Sequence, residues 1–100
     1  MGRGKRARAL TVFDMQASYA MRILRWRYPP MQRFATDLGH VLERDSLSRQ
    51  TIYQWESGRT SIPASVLIAA SELVGMPLEE VLSMAHRMAT VSRPNEHVNG

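Results

Sequence analysis

An all-α fold of five short helices is what this 100-residue sequence predicts, and three observations predict it. Apolar residues recur at the three- and four-residue spacing of a helix in five successive segments. Proline, glycine and small polar residues fall where helices start and stop. No segment alternates with period two, so no strand is expected, and no internal repeat is visible. The length fits one domain with ragged ends.

The first helix opens at Thr11-Val12-Phe13-Asp14, which has the form of a capping box. Phe13, Ala17, Ala20 or Met21, and Leu24 share a face, and the helix runs to about Arg27, where Pro29-Pro30 stops it. The second helix lies within Met31–Arg44, with Phe34, Leu38, Val41 and Leu42 on one side. Its start is either just after Pro30 or near Thr36, which has the chemistry of an N-cap. After the polar break Glu43-Arg44-Asp45-Ser46, Ser46 or Ser48 caps a third helix over about Arg49–Glu56, closed by Gly58. The fourth helix spans Pro63–Val74 with Val66, Leu67, Ala70, Leu73 and Val74 inward, and Gly75 ends it. Pro77 opens the fifth, where Glu79 and Glu80 favour the positive end of the helix dipole. Leu78, Val81, Leu82, Ala85 and Met88 form its apolar stripe.

Charge is distributed unevenly. Residues 1–60 hold 11 Lys or Arg against 5 Asp or Glu, and residues 61–100 hold 2 against 4. The first part is therefore near +6 and the second near −2, a one-sided field that attracts polyanions. Twelve of the 13 basic residues are arginine, whose fork matches phosphate and guanine. Charge alone does not separate a nucleic-acid partner from a solvated basic surface. The absence of cysteine removes disulfides and thiolate chemistry and suits a cytoplasmic protein. No apolar run approaches the ~20 residues of a membrane span, so no membrane partner is expected. The basic start lacks the apolar stretch of a signal peptide.

The most informative segment is Leu47-Ser48-Arg49-Gln50-Thr51-Ile52-Tyr53-Gln54-Trp55-Glu56-Ser57-Gly58. On a helix, Thr51 or Ile52 and Trp55 face one way and suit a core. Arg49, Gln50, Tyr53 and Gln54 face the other. Guanidinium and carboxamide groups make two-pronged hydrogen bonds to guanine and adenine edges in the major groove. The helix start adds backbone N–H groups that favour phosphate.

Residues 48–58 resemble the recognition helix of the Cro/cI-type (XRE) helix-turn-helix family, and Val66–Leu82 resembles that family's fourth and fifth helices. The likeness covers roughly residues 20–82. It implies a compact five-helix, lambda repressor-like domain over 11–91, flanked by a flexible basic arm, 1–10, and a loose tail, 92–100. It implies base contacts from Arg49, Gln50, Tyr53 and Gln54, and phosphate contacts from Ser48, Arg59, Thr60 and Ser61. Ile52 and Trp55 fall on core positions. Glu56 matches an acid that pairs with a helix-1 arginine, here Arg25, and orients the third helix. The function implied is sequence-specific binding of double-stranded DNA by a dimeric, cytoplasmic, nucleoid-associated transcription regulator. The expected dimer surface is helix 5, through Met84, Met88 and Val91.

The pattern departs from the family between the second and third helices. If Phe34–Gly39 is the matching segment, seven extra residues, His40–Ser46, intervene. If Leu38–Leu42 is the match, the preceding loop is longer. The second register is preferred because it keeps Val41 and Leu42 in the core, and it puts Gln32 and Arg33 in the loop before helix 2, within reach of phosphate. The arm residues Arg3, Lys5, Arg6 and Arg8 are expected to track phosphate. His40, His86 and His97 are isolated, so no metal or other cofactor is expected. Asp45, Ser48 and the histidines lack the turn and base pairing of a hydrolase triad, so no enzymatic activity is expected. The alternatives are an antitoxin that also binds DNA, with a toxin as protein partner, and a nucleoid-type protein of low sequence preference.

Overall fold

The computed structural model describes residues 11–44 and 47–92. Among the described residues five helices follow in order: α1 Val12–Trp26, α2 Met31–Val41, α3 Arg49–Ser57, α4 Ala64–Val74 and α5 Leu78–Ser92. No strand occurs among the described residues. α1 is the hub. It packs most extensively on α5 and also touches α3 and α4, while α2 rests on α4 and α3.

The helix ends follow from local chemistry. The Thr11 hydroxyl accepts the Asp14 N–H at 3.1 Å, and the Asp14 carboxylate accepts the Thr11 N–H at 2.9 Å. This reciprocal box satisfies two backbone donors that a helix start leaves open. α2 starts directly after Pro30, whose carbonyl accepts the Phe34 N–H at 3.0 Å. That settles the open choice of start, and Thr36 lies inside the helix rather than capping it. Ser48 accepts the Thr51 N–H at 3.2 Å and caps α3, while Ser46 lies outside the described residues. Gly58 and Gly75 close α3 and α4 at φ of 79° and 83°, a left-handed geometry that costs glycine nothing. The Arg59 N–H returns to the Gln54 carbonyl and the Met76 N–H to that of Ser71, the pairing of a Schellman stop. Pro63 caps α4 from outside instead of forming its first residue. α5 runs to Ser92, one residue beyond the expected domain end. The expected arm, 1–10, and residues 93–100 of the expected tail lie outside the described residues.

The core draws on every helix. Met21, Leu24, Phe34, Leu38, Ile52, Val66 and Val81 are fully buried, each contributing about 1.5–3 kcal/mol relative to exposure. Two expectations fail. Phe13 shares the periodicity of α1 but is 71% exposed, because the buried positions of that helix begin only at Ser18. The preferred Leu38–Leu42 register also fails: Val41 is 47% exposed. Leu47 returns from the following turn and is buried in the core beside Gly39. A Cβ on Gly39 would stand 3.2 Å from the Leu47 Cβ, so glycine lets the chain come this close. The Phe34–Gly39 register is the one that fits. Gln32 and Arg33 therefore lie in the first turn of α2, not in a loop before it, and an enlarged turn links α2 to α3, with residues 45 and 46 of it outside the described residues.

One face of α1 grips the end of α3. The Ser18 hydroxyl donates to the Trp55 carbonyl at 2.9 Å, and Arg22 donates to the Glu56 carbonyl at 3.3 Å. Arg25 donates Nε and Nη2 to the two Glu56 carboxylate oxygens at 2.5 and 2.9 Å. This forked pair is the one expected from sequence. Glu56 is only 7% exposed, and the carboxylate it presents holds the Arg25 guanidinium above its ordinary pKa. Arg22 and Arg25 also place positive charge at the negative end of the α3 dipole. Arg25→Met strands the Glu56 carboxylate and should lower the unfolding free energy by about 3 kcal/mol, read as a fall in the urea midpoint. Adding Glu56→Leu should restore much of the loss. If the two losses simply add, the residues are not coupled.

Candidate nucleic-acid interface

With its last turn held, α3 divides into an inner and an outer face. Ile52 is fully buried and Trp55 is 4% exposed, so Trp55 is a core residue, as expected. The opposite face carries Arg49, Gln50 and Tyr53, all exposed, and these line an open cleft of about 410 Å³ together with Ser48. Gln54 is half-buried at the rear of this edge. The Ser48 cap satisfies the Thr51 N–H and leaves the Arg49 and Gln50 amides without an intrahelical partner. A guanidinium, a carboxamide, a phenol and open backbone donors thus stand together on one surface, which is donor chemistry for base edges and phosphate.

α2 extends that surface. Gln32, Ala35, Thr36, Gly39 and His40 line a second cleft, of about 250 Å³, whose other wall is Arg44, Leu47 and Ser48. Ser48 belongs to both clefts, so the outer side of α2 and the start of α3 are continuous. The Gln32 carboxamide donates to the Thr36 hydroxyl at 3.4 Å, which turns it toward this cleft. Arg33 has a different setting. Its Nε stands 3.7 Å from the Asp37 carboxylate, and its guanidinium carbon lies 4.7 Å above the Tyr28 ring. Tyr28 donates to the same carboxylate at 2.7 Å, a bond that, first among its causes, raises the phenol pKa. Arg33 is not among the residues that line the cleft, so the structure does not group it with Gln32.

Arg59, Thr60 and Ser61 follow Gly58 as an exposed loop. The Arg59 backbone is tied to Gln54 by the α3 stop, which sets where the loop begins relative to the α3 edge. Arg3, Lys5, Arg6 and Arg8 lie outside the described residues. On α5, Met84 and Met88 are half-buried against the core, while Val91 is 79% exposed. Of the surface expected for dimerisation, Val91 stands clearest of the fold. Among the described residues no cluster of His, Cys, Asp and Glu is placed to hold a metal, and no helix is long and apolar enough to cross a membrane.

Sequence reasoning missed two groups. Ser18 and Arg22 act with Arg25 on α3, and their i, i+4, i+7 spacing on one face of a helix was the available signal. Thr36, His40 and Arg44 join the surface because Arg44 and Leu47 lie back against Gly39 at the end of α2. Their only signal was the departure in spacing between the second and third helices.

The helix-turn-helix family model matches residues 34–81, a span that takes in α2 from Phe34, the enlarged turn, α3, α4 and the start of α5. No curated protein and no solved structure matches the chain. The five-helix architecture, the capped and back-anchored α3 and the match over residues 34–81 together make the chain similar to the Cro/cI-type helix-turn-helix family, a family of DNA-binding transcription regulators.

Proposed function

We propose that this protein is a sequence-specific, double-stranded-DNA-binding transcription regulator that acts as a dimer in the cytoplasm, at the nucleoid. α3 enters the major groove and presents Arg49, Gln50 and Tyr53 to base edges, with Gln54 behind them. Ser48, Gln32 and the Arg59–Ser61 loop hold the flanking phosphates. The observation that carries this reading is the exposed Arg49–Gln50–Tyr53 edge on a helix whose other face is locked into the core. Phosphate contacts set affinity and register, and the α3 edge sets sequence.

Two copies related by a twofold axis read half-sites about 34–36 Å apart. The exposed end of α5, at Val91, is the surface assigned to the dimer. Regulation follows from occupying a promoter.

Selection of bound duplexes from a random pool tests the whole reading. It should return a short motif repeated with twofold symmetry at about one helical turn. A flat profile would replace specific recognition with low-preference binding, and no bound duplex at low salt would remove DNA as the partner. On the selected duplex, Gln50→Ala should lower discrimination at one base pair by about 1–3 kcal/mol and leave the others alone. Arg59→Ala should weaken all sequences alike and flatten the dependence of log K on log salt by about one unit. A loss confined to one sequence would instead make Arg59 a base-reading residue.

A further inference from the structure

We propose that the cleft between α2 and the enlarged turn is a seat for one backbone phosphate of the bound duplex, with Arg44 as its charged ligand. The proposal rests on the DNA-binding reading above and adds to it a contact from Arg44. Its basis is the composition and position of the cleft. The Gln32 carboxamide, the Thr36 and Ser48 hydroxyls, the His40 imidazole and the Arg44 guanidinium all line it, and no carboxylate among the described residues does. All five groups offer a hydrogen-bond donor whatever their protonation, and arginine supplies a permanent positive charge in a fork suited to phosphate oxygens. Ala35, Gly39 and Leu47 close its base with apolar or bare surface.

Position selects the anion. The cleft meets the base-reading surface at Ser48, which lines both. A duplex whose major groove receives α3 carries its phosphates along the two rims of that groove. The rim on the α2 side runs past Ser48 toward Gln32 and Arg44. The cap of α3 opens toward the same place, so its dipole favours the same charge. Arg44 reaches this site because its N–H bonds back to the Gly39 carbonyl at 2.9 Å, after Glu43 has turned the chain at a φ of 58°. That bond holds the start of the turn against α2 and directs residue 44 to the cleft.

The experiment uses the full chain and the duplex recovered by selection. Wild type, Arg44→Ala and Arg44→Lys are titrated over a range of salt. Each is then titrated with duplexes in which single phosphates are replaced, one position at a time, by uncharged methylphosphonate. Arg44 is exposed, and thermal unfolding verifies that each variant is folded. The expected result is that Arg44→Ala lowers the salt slope by about 0.9, the value for one lost phosphate contact, while Arg44→Lys keeps it. In addition, the wild type loses affinity at one methylphosphonate position that costs Arg44→Ala nothing further, a failure of additivity that assigns the pair. The proposal is overturned if wild type binds the duplex but Arg44→Ala leaves the slope unchanged, or if the two losses add at every position. Failure of the DNA reading itself looks different: wild type then binds no duplex at all, and this proposal falls with it.

Discussion

The structure depends on how α1 holds the last turn of α3. Ser18, Arg22 and Arg25 lie along one face of α1 and engage, in order, the Trp55 carbonyl, the Glu56 carbonyl and the Glu56 carboxylate. The final carbonyls of a helix have no partner within it and are costly to bury bare. Here the domain's central helix answers them, with two positive charges at the negative end of the dipole. Trp55 and Ile52 fill the core beneath, so α3 is held by its end and its inner face. Its outer face is left to carry the exposed side chains of Arg49, Gln50 and Tyr53. Rigid support with an open edge is what a reading element requires, because a loosely held helix would not keep its side chains in register with base edges.

The turn from α2 to α3 is the second constraint. A short turn would bring the two helices together directly. Here the chain makes a detour: the Arg44 N–H bonds back to the Gly39 carbonyl, and Leu47 returns into the core. The small residue at Gly39 is what allows this return, since a side chain there would press on Leu47. The detour therefore costs no core contact at the end of α2, and it sets Arg44 and His40 beside Gln32 and Thr36. The same packing that keeps the core closed builds a polar wall next to the α3 edge.

Much of this was legible in the sequence, for physical reasons that differ by element. The five helices were readable because their stop signals are local: a capping box at Thr11, prolines at 29, 30, 63 and 77, and glycines at 58 and 75 act within a turn or two of themselves. The inner and outer faces of α3 were readable from its period, and the Arg25–Glu56 pair from the family likeness. The register of α2 was not, because Val41 and Leu47 are both apolar and only tertiary packing decides which one enters the core. Phe13 misled for a related reason: periodicity reports which side of a helix a residue is on, not whether anything lies opposite. The α2–α3 cleft was hidden because its walls come from two segments joined only by the path of the turn.

Equal formal charges in this chain have unequal surroundings, and that bears on any binding energy inferred from composition. Arg25 is matched by the Glu56 carboxylate, and Arg33 stands between Asp37 and the Tyr28 ring. Arg22 leans over the Tyr19 ring while donating to the Glu56 carbonyl. Moving any of these onto a phosphate would break an interaction already made, so each is poorly suited to replacing a counterion on DNA. Arg44, Arg49 and Arg59 are exposed and form no ion pair among the described residues. Counterion release follows the number of phosphates neutralised, not the net charge of the protein. The surplus of basic residues in the first 60 positions thus overstates the electrostatic grip of the folded domain. The arginines fixed by α1 and α2 maintain the shape of the α2–α3 surface, and those at the turn, the α3 edge and the following loop are the ones on which the proposed DNA contact rests.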